Sequence, residues 1–338
     1  MKKLISLSAG IFLALSAQVN AADYTLTIAS WAPPSHGINS QMWPELTKMI
    51  EEATDGRVTA EIKYGLAPPP ALMDLVLDGA ADMTWIFHGY QAGRFTATKL
   101  IELPGYEGNA EAASVAYWRT HEQYLADANE HKGVKLVGLH THGPAQVQTN
   151  KEVTSLADIA GMKLRVPGGV GSDVGAALGA TGIQVPAPKV YETLASKAAD
   201  GVVMPVEARK GFKLTEVAKN LYEVPGGLYR GSFATIISEE ALASLPEELR
   251  LAIEENVFGE PASRLAGQVW DRIDIDGRAV TEAAEDNVIT VASDADMQLW
   301  NKIADDITAT VLVEVTEKGI DAAAAHQMII DVMAAESQ

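Results

Sequence analysis

Short stretches near the start of the chain alternate apolar and polar residues, as half-buried β-strands do. The alternation covers residues 24–29 and again 58–64, and an apolar run at 83–87 predicts a third, buried strand. Apolar residues at helical spacing occupy the two intervals, at 46–53 and 72–76. Strands that alternate with helices indicate a parallel sheet, whose functional loops lie at the carboxyl ends of the strands.

A second unit of the same kind begins near residue 136. Its strands are predicted at 136–142, 162–166, 183–185 and 202–204, with helices at 155–159, 171–178 and 191–198. In each unit a helix ends at an Asp-Gly pair, at 78–79 or at 200–201, and an apolar strand follows. We therefore predict two α/β units.

The last hundred residues have mainly helical periodicity. One apolar stripe follows Pro261 at offsets of 0, 3, 4, 7, 8 and 11 residues, and consists of Ala262, Leu265, Ala266, Val269, Trp270 and Ile273. If this helix continues to residue 285, it exceeds twenty residues and about 30 Å, which is long enough to lie across both units. A strand at 289–291 and an amphipathic helix at 297–315 are predicted after it.

The first 22 residues have the organisation of a cleaved signal peptide. Lys2 and Lys3 precede an uncharged apolar stretch at 4–17, and small residues at 19 and 21 fit the cleavage site of a signal peptidase. Cleavage is expected before Ala22 or before Asp23. No later stretch reaches about 18 continuous apolar residues, so we expect a periplasmic protein without a transmembrane helix.

Charge and cysteine content exclude several classes of function. The chain has 45 acidic and 26 basic side chains, and loss of Lys2 and Lys3 leaves 24 basic ones and a formal charge of −21. Such a negative surface repels phosphate backbones, so we expect no nucleic-acid partner. The absence of cysteine excludes disulfides, thiolate metal sites and a cysteine nucleophile.

Five ordered segments carry a resemblance to a known family. They are LTIASWAPPSHGINS, GRVTAEIKY, LVLDGAADMTW, SLADIAGMKLRVPGG and KVYETLASKAADGV, and the long carboxyl-terminal helices follow them. From residue 23 to about residue 330 the chain resembles the extracytoplasmic binding proteins of tripartite ATP-independent periplasmic (TRAP) transporters, in the dicarboxylate-carrier (DctP) type.

The resemblance implies an α/β, two-lobed periplasmic binding protein of type II-like fold, with crossing hinge strands and a long helix that braces both lobes. Lobe I would comprise residues 23–145 plus about 234–260, and lobe II residues 146–233 plus the carboxyl-terminal helices. The bridging helix would span about 261–286. Such proteins close on a small-molecule ligand and dock transiently to TRAP membrane permease subunits. We accordingly expect no enzyme activity and no cofactor.

Arg165, in the predicted strand KLRV, matches the arginine that in this family forms a bidentate pair with a ligand carboxylate. The planar guanidinium fits two carboxylate oxygens and stays charged when it is buried. The turn at 167–169 leads to a helix whose N-terminus would add a favourable potential for an anion. The alternative role of Arg165 is a salt bridge at the surface or between the lobes.

Two departures from the family pattern favour a different ligand. Residues 202–205 are apolar where a polar run is usual, and residues 68–70 are three prolines where small or amide residues are commoner. A carboxylate, Glu207, closely follows the apolar run. Aromatic side chains beside a carboxylate suit an ammonium group. We therefore predict a small amine-bearing ligand such as an amino alcohol of the ethanolamine type, with a small organic carboxylate held by Arg165 as the alternative. The predicted ligand-binding residues are Arg165, Trp31, Trp85, His88, Tyr90, Gln146, Glu207 and Phe212.

Other functions have weaker signals. Gly169 and Gly171 lie between a strand and a helix as in a dinucleotide-binding loop, but Val174 occupies the third glycine position, so an NAD-type enzyme is a remote alternative. His140 and His142 would project to one side of a strand as a metal pair, yet no third ligand is near, which favours a hinge or cleft-lining role. We predict no metal site. A purely structural envelope protein is the remaining hypothesis.

Overall fold

The computed structural model describes residues 22–337, so the predicted signal peptide lies almost wholly outside the described residues. The described chain forms eleven strands and twelve α-helices. The strands are β1 (Tyr24–Ser30), β2 (Val58–Tyr64), β3 (Met83–Phe87), β4 (Val134–Thr141), β5 (Ala145–Thr149), β6 (Lys163–Val166), β7 (Thr181–Gln184), β8 (Gly201–Pro205), β9 (Asn220–Glu223), β10 (Ser232–Ser238) and β11 (Val288–Val291). The helices are α1 (Trp43–Ala53), α2 (Leu72–Leu77), α3 (Lys99–Glu102), α4 (Ala110–Thr120), α5 (Val170–Ala177), α6 (Val190–Ala195), α7 (Ala208–Gly211), α8 (Glu239–Ala243), α9 (Glu247–Asn256), α10 (Glu260–Glu282), α11 (Asp294–Thr316) and α12 (Ala322–Glu336).

Two sheets divide these strands between two lobes. The first lobe contains the sheet β2-β1-β3-β10-β4, in which β1 runs parallel to β2 and β3, while β10 is antiparallel to both of its neighbours. The second lobe contains the sheet β11-β9-β5-β8-β6-β7, with β6, β7 and β8 parallel and β5 antiparallel to β8 and β9. The predicted two-lobed α/β class is confirmed.

The chain passes between the sheets three times, and the first two crossings are extended segments that lie side by side. Residues 142–144 connect β4 to β5, and residues 224–231 connect β9 back to β10. The two crossings are hydrogen-bonded to each other, since Ala145 N donates to Tyr229 O at 2.9 Å and Leu228 N donates to Ala145 O at 2.9 Å. Two paired extended segments of this kind let the lobes rotate while their backbone bonds stay satisfied.

Helix α10 braces both lobes, as its apolar stripe predicts. It has 23 residues. On the first lobe the Asp271 carboxylate accepts from Ala110 N at 2.7 Å, at the start of α4. On the second lobe Thr281 Oγ1 accepts from Arg209 Nε at 2.6 Å. The helix therefore fixes the position of α7, and with it the loop that begins α7, relative to the first sheet.

The carboxyl-terminal helices divide their contacts between the lobes. We expected both to belong to lobe II, whereas α12 packs chiefly against α4 of the first lobe and α11 packs against α3 and α5. Four residues of α12 are buried, namely Ala322, Ala325, Ile329 and Met333. None of the helices within residues 22–337 combines the length and the apolar composition that crossing a membrane requires.

Candidate ligand-binding site

A cavity lies between the lobes. Both lobes contribute to its walls, and most of the contributing side chains are aromatic. The lining residues are Trp31, His36, Phe87, Tyr90, His142, Arg165, Pro167, Ala187, Met204, Pro205, Glu207, Phe212, Tyr229, Phe233 and Trp270. A concave, largely apolar space with a few converging polar groups is the usual form of a small-molecule site.

Arg165 is the cation of this cavity. Its neighbours Leu164 and Val166 belong to the apolar core, so alternation along β6 turns Arg165 to the other side. Only 1% of Arg165 is exposed. Its Nε donates to Val185 O at 2.8 Å and its Nη2 donates to Tyr90 Oη at 3.2 Å. Among the described residues no carboxylate pairs with it, and Nη1 makes no hydrogen bond, so a buried positive charge faces the cavity without a counter-ion.

The Tyr90 hydroxyl connects the lobes beside Arg165. Tyr90 follows β3 of the first lobe, and its oxygen accepts from both Arg165 Nη2 and Ala187 N, the latter at 2.8 Å. A phenol can accept two hydrogen bonds and donate one. Within residues 22–337 its proton has no acceptor. The hydroxyl proton and Nη1 of Arg165 are therefore two donors available to one ligand anion.

Glu207 lies in the same cavity but is already engaged. Its carboxylate Oε2 is 3.1 Å from Nε2 of His36, and its backbone N–H donates to Asp274 Oδ1 at 2.7 Å. Nδ1 of His36 accepts from Ile38 N at 3.3 Å, so Nε2 carries the proton that is shared with Glu207. Burial raises the pKa of Asp274 to about 7. The contact between His36 and Glu207 is the second one, after Tyr90, that joins the lobes, and it lies on the side of the cavity where α10 passes.

Stacked aromatic rings form the apolar wall. Trp31 lies on Trp85 with ring centroids 4.1 Å apart and planes 10° apart, and Tyr90 meets Trp31 edge-on. Trp31 also packs against each of the three apolar clusters of the described chain. An aromatic ring of a ligand would find both stacking and edge contacts on such a wall.

Three of the residues predicted to bind ligand do not line the cavity. Trp85 is covered by Trp31, and its Nε1 donates to Ser30 Oγ at 3.0 Å. His88 points away from the cavity, where its nitrogens contact Ser232 Oγ and His131 Nε2. The side-chain amide of Gln146 exchanges both of its hydrogen bonds with the backbone of Val224, at one of the crossings. The other five predicted residues line the cavity.

The start of α5 is not an empty anion site, contrary to our expectation. Val170 N donates to Glu102 Oε2 at 2.9 Å, and Glu102 Oε1 accepts from Ser232 Oγ at 2.5 Å. Burial raises the pKa of Glu102 to about 7. A protein carboxyl group therefore occupies the position where a dinucleotide phosphate would have to lie, which removes the structural basis for an NAD-type enzyme.

Among the lining residues that were not predicted from the sequence are His36, Tyr229, Phe233 and Trp270, which come from three distant parts of the chain. Of the histidine pair, His142 lines the cavity, whereas His140 is inside the core, where its Nδ1 accepts from Trp270 Nε1 at 2.9 Å. Burial lowers the pKa of both imidazoles to about 3. Of the two histidines, His142 therefore has the cleft-lining position that the sequence favoured over a metal pair.

The two lobes approach closely at a pair of glycines. Gly168, at φ +106°, lies so near Gly89 that a Cβ on Gly168 would be 2.0 Å from Gly89 O. Gly89 belongs to the first lobe and Gly168 to the turn after β6. Only a residue without a side chain permits this contact.

Solved structures that resemble this chain are binding proteins for small acids. A TRAP periplasmic solute-binding protein from Bordetella bronchiseptica, with bound (R)-mandelate and (S)-mandelate, is 36% identical with a TM-score of 0.88, over 92% of this chain and 99% of that one. A marine metagenome TRAP solute-binding protein specific for aromatic acid ligands, in complex with metahydroxyphenylacetate, is 28% identical with a TM-score of 0.86, over 93% and 100%. A third, from Rhodoferax ferrireducens in complex with copurified benzoate, is 26% identical with a TM-score of 0.86, over 93% and 98%.

Sequence comparison extends the likeness to curated relatives. The outer membrane transporter protein TsaT of Comamonas testosteroni is 26% identical over 318 residues, which is 93% of each chain. Residues 28–314 match the family described as bacterial extracellular solute-binding protein, family 7 (DctP). This family and the similar structures consist of binding proteins for transport and not of enzymes. The chain therefore belongs to the DctP family and is a TRAP solute-binding protein.

Proposed function

We propose that this protein binds an aromatic monocarboxylate in the cavity between its lobes and delivers it to TRAP membrane permease subunits in the periplasm. The observation that carries the proposal is Arg165, a buried cation that no carboxylate within residues 22–337 pairs with, in a cavity walled by aromatic rings. A buried charge is costly unless it is paired, so a ligand carboxylate supplies the missing partner. Nη1 of Arg165 and the Tyr90 hydroxyl would hold its two oxygens.

The relatives support the same ligand class. Mandelate, metahydroxyphenylacetate and benzoate, bound by three similar proteins, each combine one carboxylate with one aromatic ring. The cavity of this chain offers one unpaired guanidinium and a stacked aromatic wall. The carboxylate of such a ligand would pair with the guanidinium, and its ring would pack on the aromatic wall.

The amine-bearing ligand predicted from the sequence receives less support. Glu207 was expected to attract an ammonium group, but its carboxylate already accepts a hydrogen bond from His36. An ammonium ion in this cavity would also lie near the unpaired guanidinium, and like charges repel in a medium of low dielectric constant. The carboxylate that was our alternative is therefore the better candidate.

The proposed function also requires that the chain is exported and that its two lobes close on the ligand. Residues 1–22 would be removed on export, and the lobes built on the two sheets would close about the crossings at 142–144 and 224–231. The contacts from Tyr90 to Ala187 and from His36 to Glu207 both join one lobe to the other, and would form when the lobes close.

The test is a thermal-shift panel followed by calorimetry, with benzoate, phenylacetate and mandelate compared with ethanolamine and succinate. An acid bound with micromolar affinity stabilises the protein by about 4 kcal/mol at millimolar concentration. We expect at least one aromatic acid to stabilise the protein by this amount. We also expect Arg165→Lys to weaken the binding of that acid more than Glu207→Gln does. Stabilisation by ethanolamine alone, together with a larger loss of binding in Glu207→Gln than in Arg165→Lys, would instead support an amine-bearing ligand.

A further inference from the structure

Besides Arg165 and Tyr90, the cavity-lining residue Trp31 has a hydrogen-bond donor without a partner among the described residues. The indole Nε1 of Trp31 is buried and has no acceptor within residues 22–337. Two neighbouring indoles differ in this respect, because Trp85 Nε1 donates to Ser30 and Trp270 Nε1 donates to His140. A buried N–H without an acceptor costs about 1–3 kcal/mol. An acceptor on the ligand would remove this cost.

The carboxylate of Glu207, in the cavity wall, has one oxygen that accepts no hydrogen bond from the described residues. Glu207 is 3% exposed, and His36 donates to its Oε2 while its other oxygen makes no hydrogen bond among the described residues. Asp274 and the packing of α10 fix the backbone of this residue, since a Cβ on Gly277 would lie 2.3 Å from Val206 O. The backbone of Glu207 is thus held in place at the cavity wall, and its second carboxylate oxygen can accept one further hydrogen bond.

The two groups make complementary demands, because Trp31 can only donate and Glu207 accepts. A hydroxyl group donates one hydrogen bond and accepts two, so it is the substituent that can satisfy both. An ammonium group could satisfy Glu207 but not Trp31, and an unsubstituted ring could satisfy neither. We infer that the cognate ligand is an aromatic carboxylate that carries a hydroxyl, an inference that rests on the proposed function. Arg165 would bind its carboxylate, and Trp31 and Glu207 would bind its hydroxyl.

This arrangement would make Trp31 and Glu207 the residues that determine specificity. A site built to hydrogen-bond a substrate hydroxyl rejects the analogue that lacks it, because the buried polar groups are then left unpaired. Loss of the hydroxyl should weaken binding by at least about tenfold, which is the effect of roughly 1.4 kcal/mol.

The experiment measures Kd by calorimetry for phenylacetate, mandelate, and 2-, 3- and 4-hydroxyphenylacetate, with the corresponding methyl-substituted phenylacetates as size controls. We expect one hydroxylated acid to bind at least about tenfold more tightly than phenylacetate, and its methyl counterpart not to. The readout is the ratio of the two Kd values. Trp31→Phe, which keeps a ring but removes the N–H, and Glu207→Gln should each reduce that ratio to below about threefold.

Trp43→Phe is the matched control. Trp43 Nε1 is likewise buried without an acceptor, but Trp43 does not line the cavity, so its variant should keep the wild-type ratio. Equal affinity for phenylacetate and every hydroxylated acid would overturn the inference and leave the proposed function standing. The same holds if Trp31→Phe and Glu207→Gln both keep the preference. If no aromatic acid binds at all, the proposed function itself is wrong.

Discussion

The Tyr90 hydroxyl oxygen of the first lobe lies 3.2 Å from Nη2 of Arg165 in the second. Tyr90 accepts this hydrogen bond, so its own proton stays available on the side of the cavity. The contact does two things at once. It orients the guanidinium and it joins the lobes, so in the proposed function binding of the ligand anion and closure of the protein would depend on the same pair of residues.

Arg165→Lys should weaken the binding of the best aromatic acid by roughly 10- to 100-fold, as the loss of a hydrogen bond to a charged group does. Lysine keeps the charge, but its single nitrogen has no planar fork to reach Val185 O, Tyr90 and a carboxylate from three separate positions. Calorimetry measures the effect. Arg272→Lys is the control, because Arg272 pairs with Glu45 on the exposed surface of α10. An unchanged Kd for Arg165→Lys would contradict the assigned role.

Tyr90→Phe should raise the dissociation rate of the ligand by roughly 5- to 30-fold, because Ala187 N and Arg165 Nη2 both lose an acceptor that joins the lobes. Stopped-flow tryptophan fluorescence separates the two rate constants. Tyr191→Phe removes a hydroxyl that only contacts Glu216 on the surface, and should leave both rates unchanged. A slower association with an unaltered dissociation rate would mean that Tyr90 acts before closure.

Gly168→Ala should prevent full closure, since its Cβ would lie 2.0 Å from Gly89 O of the other lobe. Small-angle scattering should show no ligand-induced decrease in the radius of gyration, and affinity should fall. Positive φ also strains alanine, so Gly161→Ala is the matched control. Gly161 has φ +79° with open space around its Cβ, and its variant should be destabilised but still close. Normal closure of Gly168→Ala would show that the two glycines separate in the ligand-bound form.

Asp274→Asn should stabilise the protein at pH 8 and have little effect at pH 4. Burial raises the pKa of Asp274 from 3.8 in the unfolded chain to about 7 in the folded one. Stability from its bound proton is therefore complete below pH 3.8 and is lost as the pH rises through 7. The loss is on the order of 4 kcal/mol for a shift of this size. Asparagine keeps an acceptor for Glu207 N without the charge.

Thermal denaturation at several pH values tests this prediction. The gap in Tm between Asp274→Asn and the wild type should widen from pH 4 to pH 8. Asp276→Asn is a suitable control, because Asp276 pairs with Lys210 at the exposed surface of the same helix. A constant gap across the range would mean that Asp274 is ionised in the folded protein throughout.

Local periodicity was sufficient to predict the strands of the first unit and the apolar stripe of α10. It did not identify β5, in which Gln146 and Gln148 alternate with apolar residues although all five residues of the strand are buried. Both amides bond to backbone atoms of other segments, Gln146 to Val224 and Gln148 to Met204 and Pro205. Such long-range partners leave no signal in the neighbouring sequence, so a buried strand with polar residues was not recognised.

The cavity could be predicted only in part. Arg165 was identified because it lies in a short motif that matches the family. His36, Tyr229 and Phe233 reach the same space only after the chain has crossed twice between the sheets, and Trp270 is indistinguishable from its core neighbours in the helical stripe. Spacing along a helix or strand separates inside from outside, but it cannot separate the core from a cavity lined by the same residue types.

The position of β10 determines the order in which the protein can fold. This strand lies between β3 and β4, although it is made some 90 residues after β4, so the first sheet stays divided until residue 238 is available. A shorter chain would leave two buried strands with unpaired edges, and long-range pairing of this kind is slow. Most of the chain must therefore be complete before the first lobe is stable. Under the proposed export to the periplasm, late completion of this sheet would keep the polypeptide unfolded, and so able to cross the membrane, through most of its synthesis.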